Sequence, residues 1–346
     1  MARPKSIARA RSDAKAVRLI HVCDDQPGLR RQRRGKGFIY IDPHGRRVTR
    51  EDVLQRIRSL AIPPAYRDVW ICTHPRGHLQ ATGRDAKGRK QYRYHPRWRG
   101  VRDSRKFAHV HAFGAALPRI RRKVRADLAL PGWPRDKVLA LMLRVLDRTL
   151  IRVGNEFYTT ENGSYGLTTL RSHHVHAEHG RLRLSFRSKS GRRSEIELND
   201  PKLVRLLLRI QQLPGQRLFQ YIDDGGKKQA VDSGMVNDYL REISGGDFTA
   251  KDFRTWAGTV LAIGLLLRTP LPPDKPKLAR QQAINEVIKQ VAAVLRNTPS
   301  VCRASYIHPQ VFAGWEDGSL CRAVPSTASK QPRRLESAVL RYLKKY

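Results

Sequence analysis

One tyrosine near the C-terminal end of the chain lies among residues that could assist chemistry on an anion. Tyr306 follows Arg303 and precedes His308-Pro309, within the segment 297–309. A tyrosine hydroxyl can act as a nucleophile, and nearby cations favour its reactive phenolate form. A tyrosine taken alone is more often a packed core residue. Two interpretations therefore stay open here, a core ring or a nucleophile aimed at a phosphate.

An arginine upstream is predicted to continue an apolar helix face. Residues 135–153 are predicted as a helix that ends at Gly154. Its buried face holds Val138, Met142, Val145 and Thr149. Arg152 follows the same spacing, and a buried guanidinium needs an anion because an unpaired buried charge is too costly. A structural ion pair with Asp147 or Glu156 and a bound anion are equally compatible with this pattern.

A second arginine lies close to a predicted helix N-terminus. Thr249 is predicted to cap a helix over 250–268, with Asp252 at the third helical position. Arg254 follows in the same region of the helix, and Gly258 leaves room beside it one turn later. The partial positive charge of a helix N-terminus together with an arginine suits the binding of a phosphate.

A lysine is predicted near the tip of a β-hairpin. Alternating apolar residues over 182–186 and 196–198 flank the turn at Lys189-Ser-Gly191. Lys189 lies on the face opposite the leucines, where most lysines are only solvated.

Further helices are predicted in the C-terminal part of the chain. They cover 201–212, a stretch from Asp232 or Ser233 to about Gly245, and 277–296. A proline-rich linker is predicted at 269–276. Asn297 ends the helix 277–296, and Thr298-Pro299 can begin the short helix that carries Tyr306.

The charge of the chain predicts a polyanionic partner. The 346 residues include 68 Lys and Arg against 30 Asp and Glu, a net charge of +38, and 40% are hydrophobic. Nucleic acid is the usual partner of so basic a protein, although ribosomal-type and peripheral membrane proteins share this property. The longest apolar run, Val260–Leu267, is too short to span a bilayer, and no amphipathic basic helix with a wide apolar face favours membrane binding.

The composition and the pattern of elements predict an α+β protein with two domains. A flexible basic arm is expected at 1–18, and a small α+β domain with a β-sheet and helices at 19–104. A larger, mainly helical domain containing a short β-hairpin is expected at 105–346. In the first domain, a strand is predicted at Gly37–Asp42 and a helix capped by Thr49.

A basic turn in the first domain is predicted to contact nucleic acid. The segment 83–94 interleaves cations with aromatic residues, which suits phosphates together with sugar or base edges. The candidate residues are Arg84, Lys87, Arg89, Lys90, Tyr92 and Tyr94. A solvated hairpin is the alternative interpretation.

The sequence gives little support to a metal or disulfide site. The four cysteines have neither CxxC nor CxH spacing, which fits a reducing cytoplasm. The four histidines His173, His174, His176 and His179 follow no ligand motif, and His174 is expected to be structural or to face DNA.

Together, the ordered motifs resemble those of one family, the type IB DNA topoisomerases, and specifically its compact poxvirus-like bacterial group. The motifs similar to that family are Arg152-Val-Gly-Asn-Glu156, Gly166-Leu-Thr-Thr-Leu-Arg171, Phe186-Arg-Ser-Lys189-Ser-Gly191, Lys251-Asp-Phe-Arg254-Thr-Trp256 and Ser305-Tyr306-Ile-His-Pro309. In the first domain, Ile62-Pro-Pro-Ala-Tyr66 and the segment 84–92 resemble the family's DNA-clamping domain. The resemblance covers about residues 19–325.

This resemblance implies an activity and a set of site residues. The expected enzyme is a monomer in the cytoplasm, at the nucleoid, that relaxes duplex DNA through a 3′-phosphotyrosyl intermediate without ATP, metal or another cofactor. The expected catalytic residues are Arg152, Lys189, Arg254, Asn297 and Tyr306, and Lys251 is expected to contact DNA. Many relatives have histidine where Asn297 stands. Asparagine cannot serve as an acid, but its amide can donate a hydrogen bond to a phosphate oxygen.

Two other functions share part of this pattern. Site-specific tyrosine recombinases use a similar residue set but usually have His-x-x-Arg at the second arginine, where this chain has Lys251 and Arg254. A noncatalytic DNA-compacting protein would explain the charge but would form no covalent bond with DNA.

Overall fold

The computed structural model describes residues 4–86, 88–178, 181–269 and 277–345. The chain divides into two compact units, Met1–Phe107 and Ala108–Tyr346. The division falls close to the predicted boundary after residue 104. It lies within a long helix, Pro96–Asp127, so most of the charged stretch 95–105 is helical.

The first unit is built around a five-stranded antiparallel sheet. In chain order its elements are α1 (Pro4–Ala16), β1 (Leu29–Arg34), β2 (Gly37–Ile41), α2 (Glu51–Ser59), β3 (Arg67–Ile71), β4 (Leu79–Arg84) and β5 (Lys90–Tyr94), and the long helix Pro96–Asp127 is α3. The strand order is β2-β1-β3-β4-β5. One face of the sheet packs against α2 around the buried residues Leu29, Ile57, Val69, Ile71 and Ala81.

The start of the chain differs from the expected flexible arm. Residues 4–16 form α1, and Ala14 packs in a buried cluster with Leu19 and Trp98. Asp13 forms an ion pair with Arg105 of α3. Packing of Ala14 in the cluster with the Trp98 indole stabilises this helix. The basic composition alone therefore wrongly predicted a flexible arm.

The cap predicted for α2 was also wrong. The N-cap residue is Arg50, which makes no capping hydrogen bond through its side chain. The helix begins at Glu51, one residue later than a cap at Thr49 requires. The Thr49 hydroxyl is therefore not in the capping position.

The second unit is mainly helical, and its described residues form two small antiparallel sheets. Its elements after α3 are α4 (Arg135–Thr149), α5 (Glu156–Asn162), β6 (Val175–Glu178), β7 (Arg181–Arg187), β8 (Arg193–Leu198), α6 (Pro201–Gln211), β9 (Gln220–Ile222), β10 (Lys228–Ala230), α7 (Ser233–Ser244), α8 (Ala250–Leu266), α9 (Lys277–Leu295), α10 (Pro299–Tyr306), α11 (Gln310–Glu316), α12 (Ser319–Ala323) and α13 (Pro332–Leu343). The two sheets are β6-β7-β8, in which β7–β8 is the predicted hairpin, and β9-β10. The α+β fold class is therefore confirmed.

Several helix boundaries of the second unit match their sequence signals. Asp200 caps α6 through its carboxylate, and Asp232 does the same for α7. Gly245 ends α7 in the left-handed conformation, with φ 68°. Residues 270–276 of the predicted linker lie outside the described residues.

The end of α4 was predicted wrongly. The helix stops at Thr149, because Leu150 adopts a left-handed conformation with φ 55°. Arg152 therefore lies in the segment after the helix rather than on its apolar face. Among the helices in the described ranges, none has the length and apolar character needed to cross a bilayer.

Candidate active site

A cavity of about 290 Å³ in the second unit brings several predicted residues together. Its walls include Arg152, Ser233, Asn237, Lys251, Arg254 and Tyr306. These side chains come from the segment after α4, from the N-terminal turns of α7 and α8, and from the end of α10. Cationic and hydroxyl groups thus converge from four parts of the chain.

Arg254 is fixed by α8 and by two main-chain carbonyls. The helix begins with the predicted capping box, in which the Asp252 carboxylate accepts from the Thr249 backbone N–H at 2.7 Å. Arg254 is only 3% exposed. Its terminal nitrogens donate to the carbonyl oxygens of Leu150 and, at 2.7 Å, of Leu295. Its guanidinium is thereby held rigidly at the site.

Two left-handed residues present carbonyl oxygens to the arginines. Leu150 ends α4 with φ 55°, and Arg296 follows α9 with φ 52°. Such conformations are unfavourable for residues with a side chain and persist only where the surroundings impose them. The Arg296 guanidinium donates to the carbonyl oxygen of Thr149 at 3.1 Å, which ties the two helix ends together.

Arg152 is positioned by a close contact between two glycines. A Cβ on Gly166 would lie 2.4 Å from the Cα of Gly154, so only glycine fits there. This approach lets the Leu167 N–H donate to the Arg152 carbonyl at 2.8 Å. The Arg152 side chain donates to the Arg296 carbonyl at 2.9 Å and to Oδ1 of Asn297.

Neither proposed structural ion pair of Arg152 forms. Asp147 pairs with Arg121 at 2.9 Å, and Glu156 pairs with Arg217 at 2.9 Å. Burial, followed by the nearby charge of Arg254, lowers the pKa of Arg152 to about 10. The described contacts give Arg152 no carboxylate partner, so the guanidinium pair favours an incoming anion.

Asn297 contacts the site through Arg152. Its Oδ1 accepts from the guanidinium, while its Nδ2 is buried without a hydrogen-bond partner among the described atoms. The predicted contact of this amide with a phosphate is untested. The observed bond shows instead that Asn297 orients Arg152.

Tyr306 lies at the end of α10 and is held by α8. A Cβ on Gly258 would lie 2.6 Å from the Tyr306 carbonyl oxygen, so the space at this glycine, predicted to lie beside Arg254, admits the main chain of Tyr306. Thr259 donates to the same oxygen at 3.4 Å and accepts from the His308 N–H at 3.1 Å. Thr298 caps the start of α10 as predicted.

The phenol of Tyr306 is surrounded by positive charge. The Arg254 guanidinium lies 5.1 Å from the centre of its ring. Burial raises the pKa of Tyr306, but the charge and hydrogen bond of Arg254, followed by the charges of Lys251 and Arg152, bring this pKa below its ordinary value. The site therefore favours the nucleophilic phenolate.

Lys189 is not part of the cavity wall. It lies at the tip of the β7–β8 hairpin, at the start of a short 3-10 turn, and its side chain is exposed. The sequence correctly predicted its place in the hairpin. Its role in proton transfer stays a prediction.

The cations predicted to bind DNA in the first unit have acidic neighbours. Arg84 lies 3.6 Å from Asp68, Arg89 2.7 Å from Asp85 and Lys90 2.5 Å from Asp24. Local pairing thus reduces the charge that each of them can offer to a phosphate. Lys87 lies outside the described residues.

The aromatic residues of β5 and Lys251 are more accessible. Tyr92 is 48% exposed, and its ring stacks on Tyr94 with centroids 6.0 Å apart. Lys251 is exposed at the start of α8 and lines the cavity. DNA contact by these residues remains a prediction.

The sequence analysis missed two polar residues of the cavity. Ser233 and Asn237 lie one turn apart on α7, a spacing that places both on the same helix face. The Oδ1 of Asn237 accepts from the Ala250 N–H at 3.0 Å and so supports the start of α8. The sequence could have indicated this shared face through the four-residue spacing of Ser233 and Asn237 directly after the Asp232 cap.

The histidines do not form a metal centre in the described part of the chain. No group of three histidine, cysteine or acidic residues there could hold a metal ion. His174 is buried and its Nδ1 accepts from the Arg171 N–H at 3.0 Å. Burial, followed by the charges of His173, Arg171 and His176, lowers the pKa of His174 to about 4, which fits a structural role. His179 lies outside the described residues.

Comparisons with known proteins cover both units. The family model described as "Eukaryotic DNA topoisomerase I, catalytic core" matches residues 95–318, and that described as "Bacterial DNA topoisomerase IB, N-terminal domain" matches residues 37–85. A DNA topoisomerase 1B of Acanthamoeba polyphaga mimivirus is 34% identical over 286 residues, covering 81% of this chain and 85% of the viral protein. A DNA topoisomerase 1B of Vaccinia virus (strain Copenhagen) is 24% identical over 290 residues, covering 80% and 85% respectively.

Proposed function

Because the chain belongs to the type IB DNA topoisomerases, we propose that it relaxes supercoiled duplex DNA through a covalent bond between Tyr306 and a 3′ phosphate. The observation that carries this proposal is the shared cavity of Tyr306, Arg152 and Arg254. The lowered pKa of Tyr306 supports its role as the nucleophile.

The proposed cleavage step uses the two arginines as electrostatic catalysts. The Tyr306 oxygen attacks phosphorus, and negative charge grows on the nonbridging oxygens. Arg152 and Arg254 stabilise that charge with planar, positively charged guanidiniums. Removing one such donor typically slows a reaction by about 10²–10³.

The leaving 5′ oxygen requires a proton. We assign this role to Lys189, since a lysine at an exposed hairpin tip can reach the leaving group and act as general acid. The phosphotyrosyl bond conserves the energy of the broken phosphodiester, so attack by the 5′ hydroxyl reseals the strand without ATP. The guanidiniums supply the positive charge for which other enzymes use a metal.

The proposed enzyme acts as a monomer on duplex DNA in the cytoplasm, at the nucleoid. Strand rotation between cleavage and resealing would release supercoils. The net charge of +38 supports binding to a polyanion.

The central test compares the wild type with Tyr306→Phe on a supercoiled plasmid, in EDTA and without ATP. We expect ladder-like relaxation and a covalent protein–DNA adduct from the wild type alone, while DNA binding is retained by the variant. Tyr221→Phe, a change outside the cavity, serves as the matched control and should relax the plasmid normally. Relaxation that persists in Tyr306→Phe would refute the mechanism.

The same assay separates the two rival functions. The plasmid carries no recombination site, so relaxation at many positions favours a topoisomerase over a site-specific recombinase. A DNA-compacting protein would bind the plasmid but leave its linking number unchanged and form no adduct.

A further inference from the structure

The neck of the β7–β8 hairpin, directly below Lys189, is closed by hydrogen bonds beyond the strand ladder. The last ladder pair is Arg187 with Arg193. One residue further, the Ser188 N–H donates to the Arg192 carbonyl at 2.7 Å. Lys189 is therefore the first residue after a fixed point of the chain.

Two buried serine hydroxyls bridge this neck. Ser188 is 7% exposed and Ser194 is 4% exposed. The Ser194 hydroxyl donates to the Ser188 hydroxyl at 2.8 Å, which donates to the Arg192 carbonyl at 3.0 Å. A buried hydroxyl is costly without a partner, so this chain of bonds favours one arrangement of the neck.

The tip beyond the neck is a tight turn. The Gly191 N–H donates to the Ser188 carbonyl at 3.0 Å, and Gly191 has φ 76°, in the region that favours glycine. A hydrogen bond thus joins Ser188, directly before Lys189, to Gly191, two residues after it. The lysine side chain itself is exposed. The freedom that remains to Lys189 is mainly that of its own side chain.

We propose that Ser188 and Ser194 are positioning residues that fix the approach of the Lys189 ammonium to the leaving oxygen. The inference rests on the proposed role of Lys189 as general acid. The serines do not touch the reacting atoms. They act by holding the neck, and a general acid is effective only within hydrogen-bond reach of the atom that it protonates.

The affected step is the departure of the 5′ oxygen. The Tyr306 phenolate forms a bond to phosphorus as the bond from phosphorus to the 5′ oxygen breaks. The bonding electron pair passes to that oxygen, which takes a proton from Nζ of Lys189. With sulfur in place of this oxygen, the leaving thiolate is a far weaker base and departs without a proton.

This difference provides the test. The substrates are two duplexes that carry one cleavage site, mapped beforehand with the wild-type protein, and differ only in having a 5′-bridging oxygen or a 5′-bridging sulfur. Single-turnover cleavage is measured for full-length wild type, Lys189→Ala, Ser194→Ala and Ser188→Ala. Ser244→Ala is the control, because that serine is similarly buried but lies at the end of α7.

On the oxygen substrate we expect Lys189→Ala to be slower by about 10²–10⁴. The loss of one hydrogen bond at the neck should slow Ser194→Ala by about 10-fold. On the sulfur substrate, the lysine and neck variants should cleave at nearly the wild-type rate, and Ser244→Ala should match wild type on both substrates. Adding Ser194→Ala to Lys189→Ala should have little further effect on the oxygen substrate.

The outcomes separate the inference from its premise. If sulfur does not restore Lys189→Ala, the role of Lys189 as general acid is refuted. If sulfur restores Lys189→Ala but not the serine variants, or if those variants cleave the oxygen substrate normally, the positioning role is refuted. Should Ser194→Ala fail to fold, as judged by circular dichroism, Ser188→Ala and its double variant with Lys189→Ala decide the question.

Discussion

At the scale of single residues, the two arginines of the cavity depend on different partners. Besides its hydrogen bond to Tyr306, Arg254 donates from its terminal nitrogens to two main-chain carbonyls. Arg152 instead shares its bonds between the Arg296 carbonyl and the side chain of Asn297. Removing the Asn297 side chain therefore weakens the hold on one arginine and leaves the other intact.

Asn297→Ala should slow DNA cleavage because Arg152 loses an acceptor. We expect about a 10-fold loss, smaller than the 10²–10³ expected for Arg152→Ala, since the guanidinium charge remains. The double variant should be no slower than Arg152→Ala alone. Single-turnover cleavage measures all three, with Asn285→Ala on the exposed surface of α9 as the control. Additive losses in the double variant would show that Asn297 acts independently of Arg152.

The cleavage rate should depend on pH through Tyr306. The cations beside it lower the pKa of this phenol, so the rate should rise as pH increases through a value below 10. Lys251→Ala removes one of those cations and should shift the rising limb to higher pH. Lys202→Ala, at an exposed position on α6, should leave the profile unchanged. A Lys251→Ala profile that coincides with wild type would contradict this electrostatic account.

At the scale of elements, the position of the nucleophile depends on close packing between α8 and α10. The missing side chain at Gly258 lets the Tyr306 carbonyl approach, and Thr259 then bonds both this carbonyl and the His308 N–H. One helix thus carries Arg254 and also positions the end of the helix that presents Tyr306.

Gly258→Ala should displace the end of α10. The added methyl group would lie 2.6 Å from the Tyr306 carbonyl, so the helices must separate. Overpacking of this kind typically costs about 1–3 kcal/mol, and the shifted phenol should cleave DNA at least 10-fold more slowly. Thermal unfolding and single-turnover cleavage provide the measurements.

Gly100→Ala is the control for this substitution. It is also a helix glycine, but its added methyl group would meet no atom within 4 Å. Alanine is the better helix former, so this variant should be as stable as wild type or slightly more stable. A Gly258→Ala protein with wild-type stability and activity would show that the two helices adjust without consequence.

Elements with strong local signals could be predicted from the sequence, and those set by tertiary contacts could not. Thr249 with Asp252 correctly predicted the start of α8. Alternating apolar residues correctly predicted the hairpin that carries Lys189. The left-handed Leu150 ends α4 without any glycine or proline to signal it. Strand β1, Leu29–Arg34, was missed because its arginines mask the alternation.

Arg31 of β1 shows how tertiary contacts can determine the place of a charged side chain. Arg31 lies over the Phe38 ring at 4.2 Å and donates to the Tyr66 carbonyl at 2.7 Å. This side chain is half-buried and packs against its own unit, although its type suggests full exposure. Likewise, the sequence identified Arg152 and Asn297 as candidates, but their mutual bond depends on where α4 and α9 end.

At the scale of the whole molecule, the excess of positive charge governs DNA binding. The chain carries a net charge of +38, and each phosphate that its cations neutralise releases a counterion. Affinity should therefore fall steeply with salt, whatever the sequence of the duplex.

The affinity for duplex DNA should fall about 10³- to 10⁵-fold between 50 and 200 mM salt, if roughly 6–10 phosphates are contacted. Tyr306→Phe should show the same slope, because it removes no charge. Fluorescence anisotropy with a labelled duplex provides the measurement. An affinity that does not change with salt would exclude phosphate contacts as the main source of binding.

The carbonyl oxygens that hold the arginines have a consequence for how the site tolerates mutation. Leu150, Leu295 and Arg296 contribute main-chain oxygens, which every amino acid possesses. Sequence drift at these positions keeps the acceptors as long as the backbone keeps its path. Asn297 contributes a side-chain oxygen, which a single codon change can abolish. Substitutions of Leu150 or Leu295 therefore leave the main-chain acceptors of Arg254 in place. A substitution of Asn297, in contrast, removes an acceptor of Arg152.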